Sequence, residues 1–335
     1  MTARFSRDGA PAQAEALARV RLGEAHYTSL LLPATPRADG GYALAADWQA
    51  SPSWALHTGR LRADALQVGL EQPGFAAMAA AVEQAVEQAL GQAVADARRG
   101  APGAAASATT PMWRLRLDHN AAGPADIRDA PVGSIVTAQA ALLLERVRPP
   151  ARVQLGPRLR NPADPLVGVK RAAVVADFAV LRAAQRAGFD ECVLLDVDGS
   201  VSEAITSAIW FGKDGVVWTA DARHAPLRST TTALLMAWAA GYGQRVQTGS
   251  FAAEALLHAD WAVLANAVAG ARPIASVEGR AVPPPPAWLV ATSRDLVDGG
   301  PAASVAVANL RDGRGPAWAC AAVADGWAAS DGPLP

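Results

Sequence analysis

Residues 188–219, GFDECVLLDVDGSVSEAITSAIWFGKDGVVWT, decide the fold. CVLLD reads as a buried strand, Asp198-Gly199 turns the chain, VSEAITSAIWF follows, Asp214-Gly215 turns it again, and VVWT returns. Strands joined this tightly are neighbours in one sheet, because a parallel pair needs a crossover of about a dozen residues or more. The segment is therefore antiparallel or mixed, not doubly wound.

Downstream, Ser229 to Ala240 reads as a helix opened by hydroxyl residues and closed by Gly241, and WAVLAN near residue 265 reads as a further strand. Upstream, Arg171 to Ala187 places Val174, Val175, Phe178 and Leu181 on one face and ends at Gly188. Residues 149–165 hold Pro149, Pro150, Pro157, Pro162 and Pro165, which predicts an extended connection between domains. Before it, strand-like runs at Leu22–Leu32 and Tyr42–Ala46 precede a long amphipathic helix over 75–98, with Met78, Val82, Val86, Leu90 and Val94 at helical spacing. Gly100 to Thr110 is expected to be a surface loop, and MWRLRLDH a strand with Trp113, Leu115 and Leu117 opposite Arg114 and Arg116. The expected organisation is an α+β or α/β chain of two α/β domains. It comprises a smaller N-terminal domain over 1–148, the connection at 149–165, a larger domain over 166–290, and a tail over 291–335 whose periodicity fades.

The 335 residues are 51% hydrophobic, enough for about two domains with real cores. Thirty cations against 31 anions leave no field to gather nucleic acid or anionic lipid, so neither is expected as a partner. The apolar stretches are Ala-rich and interrupted by Glu and Gln, which excludes a membrane-spanning helix. The first twenty residues lack an apolar signal core, and only Cys192 and Cys320 occur; a cytoplasmic protein with reduced thiols is expected.

No glycine-rich dinucleotide loop, P-loop, zincin helix or nucleophile elbow is present, and the five histidines are too scattered for a metal set. The cations are more telling, because all but Lys170 and Lys213 are arginine. A guanidinium stays charged, whereas an ammonium yields a nucleophilic amine, so chemistry that needs an amine does not accept the exchange. Lys213 falls beside the Asp214-Gly215 turn, where a solvated cation needs no further reason; Lys170, in PLVGVKRAAVV, follows apolar residues.

The ordered series GPRLRNPADPLVGVK, a helix, GFDECVLLDVDGSVSEAITSAIWF, a turn, APLRSTTTALL and LANAVAGARPI resembles the class IV aminotransferase family. The resemblance implies fold type IV, as in D-amino acid aminotransferase, and pyridoxal 5'-phosphate as cofactor. It makes Lys170 the catalytic lysine that bonds the cofactor, and Glu203 the carboxylate at the pyridine nitrogen, where it keeps the ring an electron acceptor. ALHTGRLRADALQVGL resembles the family's H-x-x-R-L helix and makes Arg60 a phosphate ligand, while Ser229, Thr230, Asn266 and Ala267 stand where the family's other phosphate contacts come from.

Branched-chain transaminases carry a tyrosine five residues after the lysine, where this chain has Val175. The R-N-P before Gly-Val-Lys and the N-A-V at 266–268 resemble instead the aminodeoxychorismate lyase subgroup, which makes 4-aminobenzoate. Thr28 then falls near that subgroup's catalytic threonine, and Arg114, Arg116 and Arg272 are candidates to bind substrate carboxylates. The implied activity is a lyase on a small-molecule amine, with Lys170 as base and pyruvate as leaving product. A D- or branched-chain amino acid transaminase is the alternative. Arg228 and Ala208, which depart from the residues usual there, motivate a third reading, a degenerate member without catalysis. The family's habit implies a homodimer.

Overall fold

Trp113, Leu115 and Leu117 are buried and Arg114 is exposed, the alternation that MWRLRLDH imposes on a strand with one face in a core. In this computed structural model, which describes residues 2–6, 20–38, 41–98, 111–122, 133–143 and 148–328, the chain divides into two units. The first comprises 1–146 with 170–173 and 321–335; the second comprises 147–169 and 174–320. The expected loop at Gly100 to Thr110 lies outside the described residues.

In the first unit β1 (Thr2–Ser6), β2 (Val20–Pro36), β3 (Tyr42–Leu44), β4 (Met112–Ala122) and β5 (Gly133–Leu143) form an antiparallel sheet in the order β1-β5-β4-β2-β3. Two helices accompany it, α1 (Pro52–Gln67), opened by a proline in its first turn, and α2 (Phe75–Arg98), the length its periodicity predicts. Met78, Val82 and Val86 of α2 pack on Leu30, Leu32, Trp113, Leu115 and Leu117. Each such side chain, fully buried, contributes about 1.5–3 kcal/mol.

In the second unit β6 (Ala151–Arg160), α3 (Val175–Arg186), β7 (Glu191–Asp196), β8 (Val201–Ala204), β9 (Ala208–Lys213), β10 (Val216–Ala220), α4 (Thr230–Tyr242), β11 (Val246–Gly249), α5 (Glu254–Leu257), β12 (Trp261–Asn266), β13 (Gly270–Val277) and β14 (Arg280–Ala281) follow in turn. The strands run β11-β10-β9-β12-β13-β6-β7-β8, with β14 on β13. The sheet is mixed: β10–β11, β13–β6 and β6–β7 are parallel and the other pairs antiparallel. Asp214 and Gly215 take φ of 52° and 73°, the doubly positive turn that β9 and β10 need for a two-residue connection, and Lys213 beside them is exposed.

Two expectations are corrected, and the tail that the sequence leaves unassigned acquires elements. The proline-rich stretch is not only a connection, because Ala151–Arg160 is strand β6; Pro157 falls where its pairing with β7 shifts register, so the missing N–H costs no ladder bond there. The helix expected from Arg171 starts at Val175, and Val175 and Phe178 of its supposed inner face are exposed, while Leu181 and Ala184 are buried. The tail is helical: α6 (Ala287–Asp298) stops at Gly299 with φ 80°, α7 (Pro301–Arg311) begins on a proline, and α8 (Ala317–Ala328) passes into the first unit at Ala321.

Candidate functional site

Residues 170–173 leave the second unit's chain path and join the first. The backbone N–H of Lys170 donates to Asp64 Oδ2 at 3.2 Å, and its carbonyl accepts from Tyr27 N at 2.9 Å. Two residues on, Ala172 N donates to Ala25 O at 2.9 Å, so the lysine segment lies as a short extra strand along Ala25–Tyr27 of β2. Lys170 Nζ stands 4.7 Å from the centroid of the Tyr27 ring, in the range of a cation–π contact. Just before the lysine, Gly168 has φ 80°, and its carbonyl accepts from Arg228 N at 3.4 Å; a Cβ there would come within 3.1 Å of the Arg228 side chain. Both conditions favour glycine at this turn.

Thr28, next along β2, is wholly buried. Arg60 NH2 donates to its Oγ1 at 2.7 Å, and the hydroxyl lies 2.6 Å from His57 Nδ1. Arginine only donates, so the Thr28 oxygen is the acceptor of the Arg60 bond. Burial, then the charges of Arg60 and Lys170, push the His57 pKa well below the ordinary histidine value, so the ring is neutral. His57, Arg60 and Asp64 all come from α1, and the H-x-x-R spacing sets the first two on adjacent turns of one helix face.

Of the candidate substrate arginines, Arg116 is held by Asp118, with its Nε 2.9 Å from Oδ2 and NH2 2.7 Å from Oδ1, and its Cζ lies 3.8 Å from the Tyr27 ring centroid. Arg114, two residues earlier on β4, is exposed. Arg272, in the second unit, donates from Nε to Pro149 O at 2.7 Å and stands 3.8 Å from Asp190 Oδ1.

The second unit holds the remaining candidates. Glu203, in the middle of β8, accepts from Arg160 Nε at 2.9 Å through Oε1 and from Leu227 N at 3.0 Å through Oε2. The other face of the same guanidinium meets Asp177 twice, at 3.1 and 3.0 Å. Burial opposes the Arg160 charge, but Glu203 and Asp177 outweigh it and raise its pKa. The sequence motifs assign no role to Arg160 or Asp177. Arg160 stood inside the R-N-P signature, while Asp177, one acidic residue in a helix, carried no signal.

Leu227 leads into the N-terminus of α4, where Ser229 caps the helix by accepting from Thr232 N at 3.2 Å. Thr230 is buried in the first turn, and Trp210 Nε1 anchors Thr232 Oγ1 at 2.9 Å. Asn266 ends β12 and shapes the loop behind it: Oδ1 accepts from Val268 N and Ala269 N at 3.0 and 2.9 Å, and Nδ2 donates to Ser207 Oγ at 3.1 Å. Ala267 is the residue this side-chain bracket spans. Among the described residues no His, Cys, Asp or Glu group suits a metal ion, and no helix is long and apolar enough to cross a membrane.

A family model described as amino-transferase class IV matches residues 44–277. No curated protein matches the sequence. Among solved structures, a hypothetical aminotransferase from Mycobacterium tuberculosis, with alpha-ketoglutarate and PMP bound, is 22% identical with a TM-score of 0.65; the match covers 89% of this chain and 99% of that one. A branched-chain aminotransferase from Thermoproteus uzoniensis is 19% identical, TM-score 0.66, over 88% and 94% of the two chains. A provisionally assigned 4-amino-4-deoxychorismate lyase from Legionella pneumophila is 16% identical, TM-score 0.61, over 82% and 91%.

Proposed function

The chain belongs to the class IV aminotransferase family, with the type IV fold, and on that premise we propose that it is a pyridoxal-phosphate-dependent lyase of the aminodeoxychorismate type, releasing pyruvate and forming 4-aminobenzoate. The chemistry of its donors fits the cofactor. A primary amine at Lys170 suits an aldehyde, and the Glu203 carboxylate, 12% exposed, suits a protonated ring nitrogen. The Arg60 guanidinium, 3% exposed, and the hydroxyl-rich start of α4 suit a phosphate. Solved neighbours with PMP or PLP bound support the same reading.

When bound, pyridoxal phosphate supplies an electron sink for negative charge at the substrate carbon beside the amine. Lys170 Nζ then acts as the base that takes the proton from that carbon. Glu203 holds a proton at the ring nitrogen, and Arg160 and Leu227 N keep its carboxylate in one orientation. Arg60, Ser229, Thr230 and the amides at Asn266 and Ala267 bind phosphate. Arg114, Arg116 and Arg272 are the candidates to orient substrate carboxylates. We further propose a cytoplasmic homodimer serving folate biosynthesis.

The observation that carries the lyase reading is the register of β2, in which Thr28 follows the residue whose N–H binds the Lys170 carbonyl. By the sequence resemblance, this is roughly where that subgroup places its catalytic threonine. One observation favours the alternative, a D- or branched-chain amino acid transaminase: the Thr28 hydroxyl is enclosed between Arg60 and His57. Incubation with aminodeoxychorismate separates them. Stoichiometric pyruvate and 4-aminobenzoate are expected; amino transfer to a keto acid without pyruvate release would overturn the lyase in favour of the transaminase.

A further inference from the structure

Three loops of the second unit converge on His224, which is buried. Its Nδ1 lies 2.6 Å from Asp196 Oδ2, and its Nε2 lies 2.5 Å from Ser250 Oγ. Asp196 ends β7 and is 1% exposed; its other oxygen, Oδ1, accepts from Ser200 N at 2.8 Å and Asp198 N at 3.0 Å, which fixes the carboxylate plane and leaves Oδ2 for the imidazole. Burial works against ionisation of this carboxyl, yet the His224 and backbone donors hold its pKa below the ordinary value.

His224, buried, closes the short turn Ala222–His224, and Ala225 after it is held at φ 58°, a conformation alanine rarely adopts. Ser250 stands on the corner between β11 and α5 and is exposed. That corner is tied to the turn after β7, since Val201 N donates to Phe251 O at 2.7 Å. With Nδ1–H given to Asp196, Nε2 is placed to present its lone pair to the serine proton. A hydroxyl on an exposed residue, a base behind it and a buried carboxylate orienting the base are the parts that activate a serine, whatever the fold that carries them.

We propose that Ser250, His224 and Asp196 form an acyl-accepting site whose nucleophile is the Ser250 hydroxyl and whose substrates are small activated carboxylic esters. Ser250 Oγ bonds to the ester carbonyl carbon as His224 Nε2 takes the hydroxyl proton. The carbon–alkoxy bond breaks, and the leaving alcohol departs with that proton. Water then attacks the acyl-serine, its proton passes through His224 to Ser250 Oγ, and the carboxylic acid is released. No oxidant enters, and water is the second reactant.

The test treats the cofactor-loaded enzyme with a fluorophosphonate probe, maps the modified peptide by mass spectrometry, and follows p-nitrophenyl acetate hydrolysis. Labelling is expected at Ser250, at least about 100-fold faster than in a synthetic peptide of residues 245–255, a factor typical of a positioned general base. Ser250→Ala is expected to abolish label and hydrolysis while retaining the cofactor's visible absorbance and the wild-type melting temperature. His224→Gln is expected to slow labelling by a similar factor. Labelling of Ser250 no faster than in the peptide would mean that the three residues merely tie loops together and would overturn the proposal. So would label on another residue, or esterase activity that survives Ser250→Ala. These readouts do not depend on the lyase assignment, because they report on the serine whether or not pyruvate is released.

Discussion

Arg160 Nε donates to Glu203 Oε1 at 2.9 Å with both side chains largely buried, at 15% and 12% exposure, and the same guanidinium grips Asp177 with its two remaining nitrogens. One cation thus serves two carboxylates. Arg160→Met leaves both without it in a poorly solvated place and is expected to cost about 3 kcal/mol in urea unfolding, the scale for breaking one side of a buried pair. Arg160→Lys, which cannot reach both partners with a planar fork, should recover only part of this.

Thr28 satisfies two buried groups at once, accepting from Arg60 and facing His57 Nδ1. Thr28→Val keeps the shape and removes the hydroxyl, so it is expected to destabilise by about 1–3 kcal/mol, the scale for losing buried hydrogen bonds of which one is to a charged group. Thr28→Ser retains the hydroxyl and should lie much nearer the wild type by the same denaturation measurement.

Burial, and secondarily His26, lowers the pKa of His119 from 6.5 to about 3. Between those values the unfolded chain binds a proton that the folded one refuses, so stability falls as pH drops through the window. The slope from His119 alone is about 1.4 kcal/mol per pH unit. His26, whose pKa is also lowered chiefly by burial, steepens the upper part. Urea midpoints measured from pH 7 to pH 4 should fall, and His119→Gln should flatten the dependence.

Cys192 is 1% exposed, and burial first, then Glu191 and Glu278, pushes its thiol up to about 11. A disulfide reagent at pH 8 is therefore expected to titrate one thiol per native chain, Cys320, and two after unfolding. Two native thiols would contradict the packing around β7.

The parts legible in the sequence were those with a local cause. The positive φ values at Asp214-Gly215 follow from residue type, and the Phe75–Arg98 helix follows from its period, with Met78 and Val82 buried where expected. β6 was hidden because five prolines between 149 and 165 signal interruption, and only its parallel partners β7 and β13, distant in sequence, make it a strand. VSEAITSAIWF splits into β8 and β9 around Ser207, a bend no turn residue announces. The helices of the tail did carry signals, Pro301 at a first turn and Gly299 at a stop, beneath an Ala-rich composition that blurs apolar periodicity. At the site, Lys170 and Glu203 stood out by scarcity and order. Asp177, and the alignment of Asp196, His224 and Ser250, depend on loops far apart in the chain and leave no spacing to read.

Borohydride reduction of the holoenzyme, followed by peptide mapping, bears most directly on the amine at Lys170. Loss of the visible cofactor band is expected, with a pyridoxyl group fixed on the peptide containing Lys170, and Lys170→Ala unlabelled with its turnover reduced by about 1000-fold or more, the loss of a catalytic base. A pyridoxyl group fixed on Lys213, or on neither lysine, would contradict the role of Lys170.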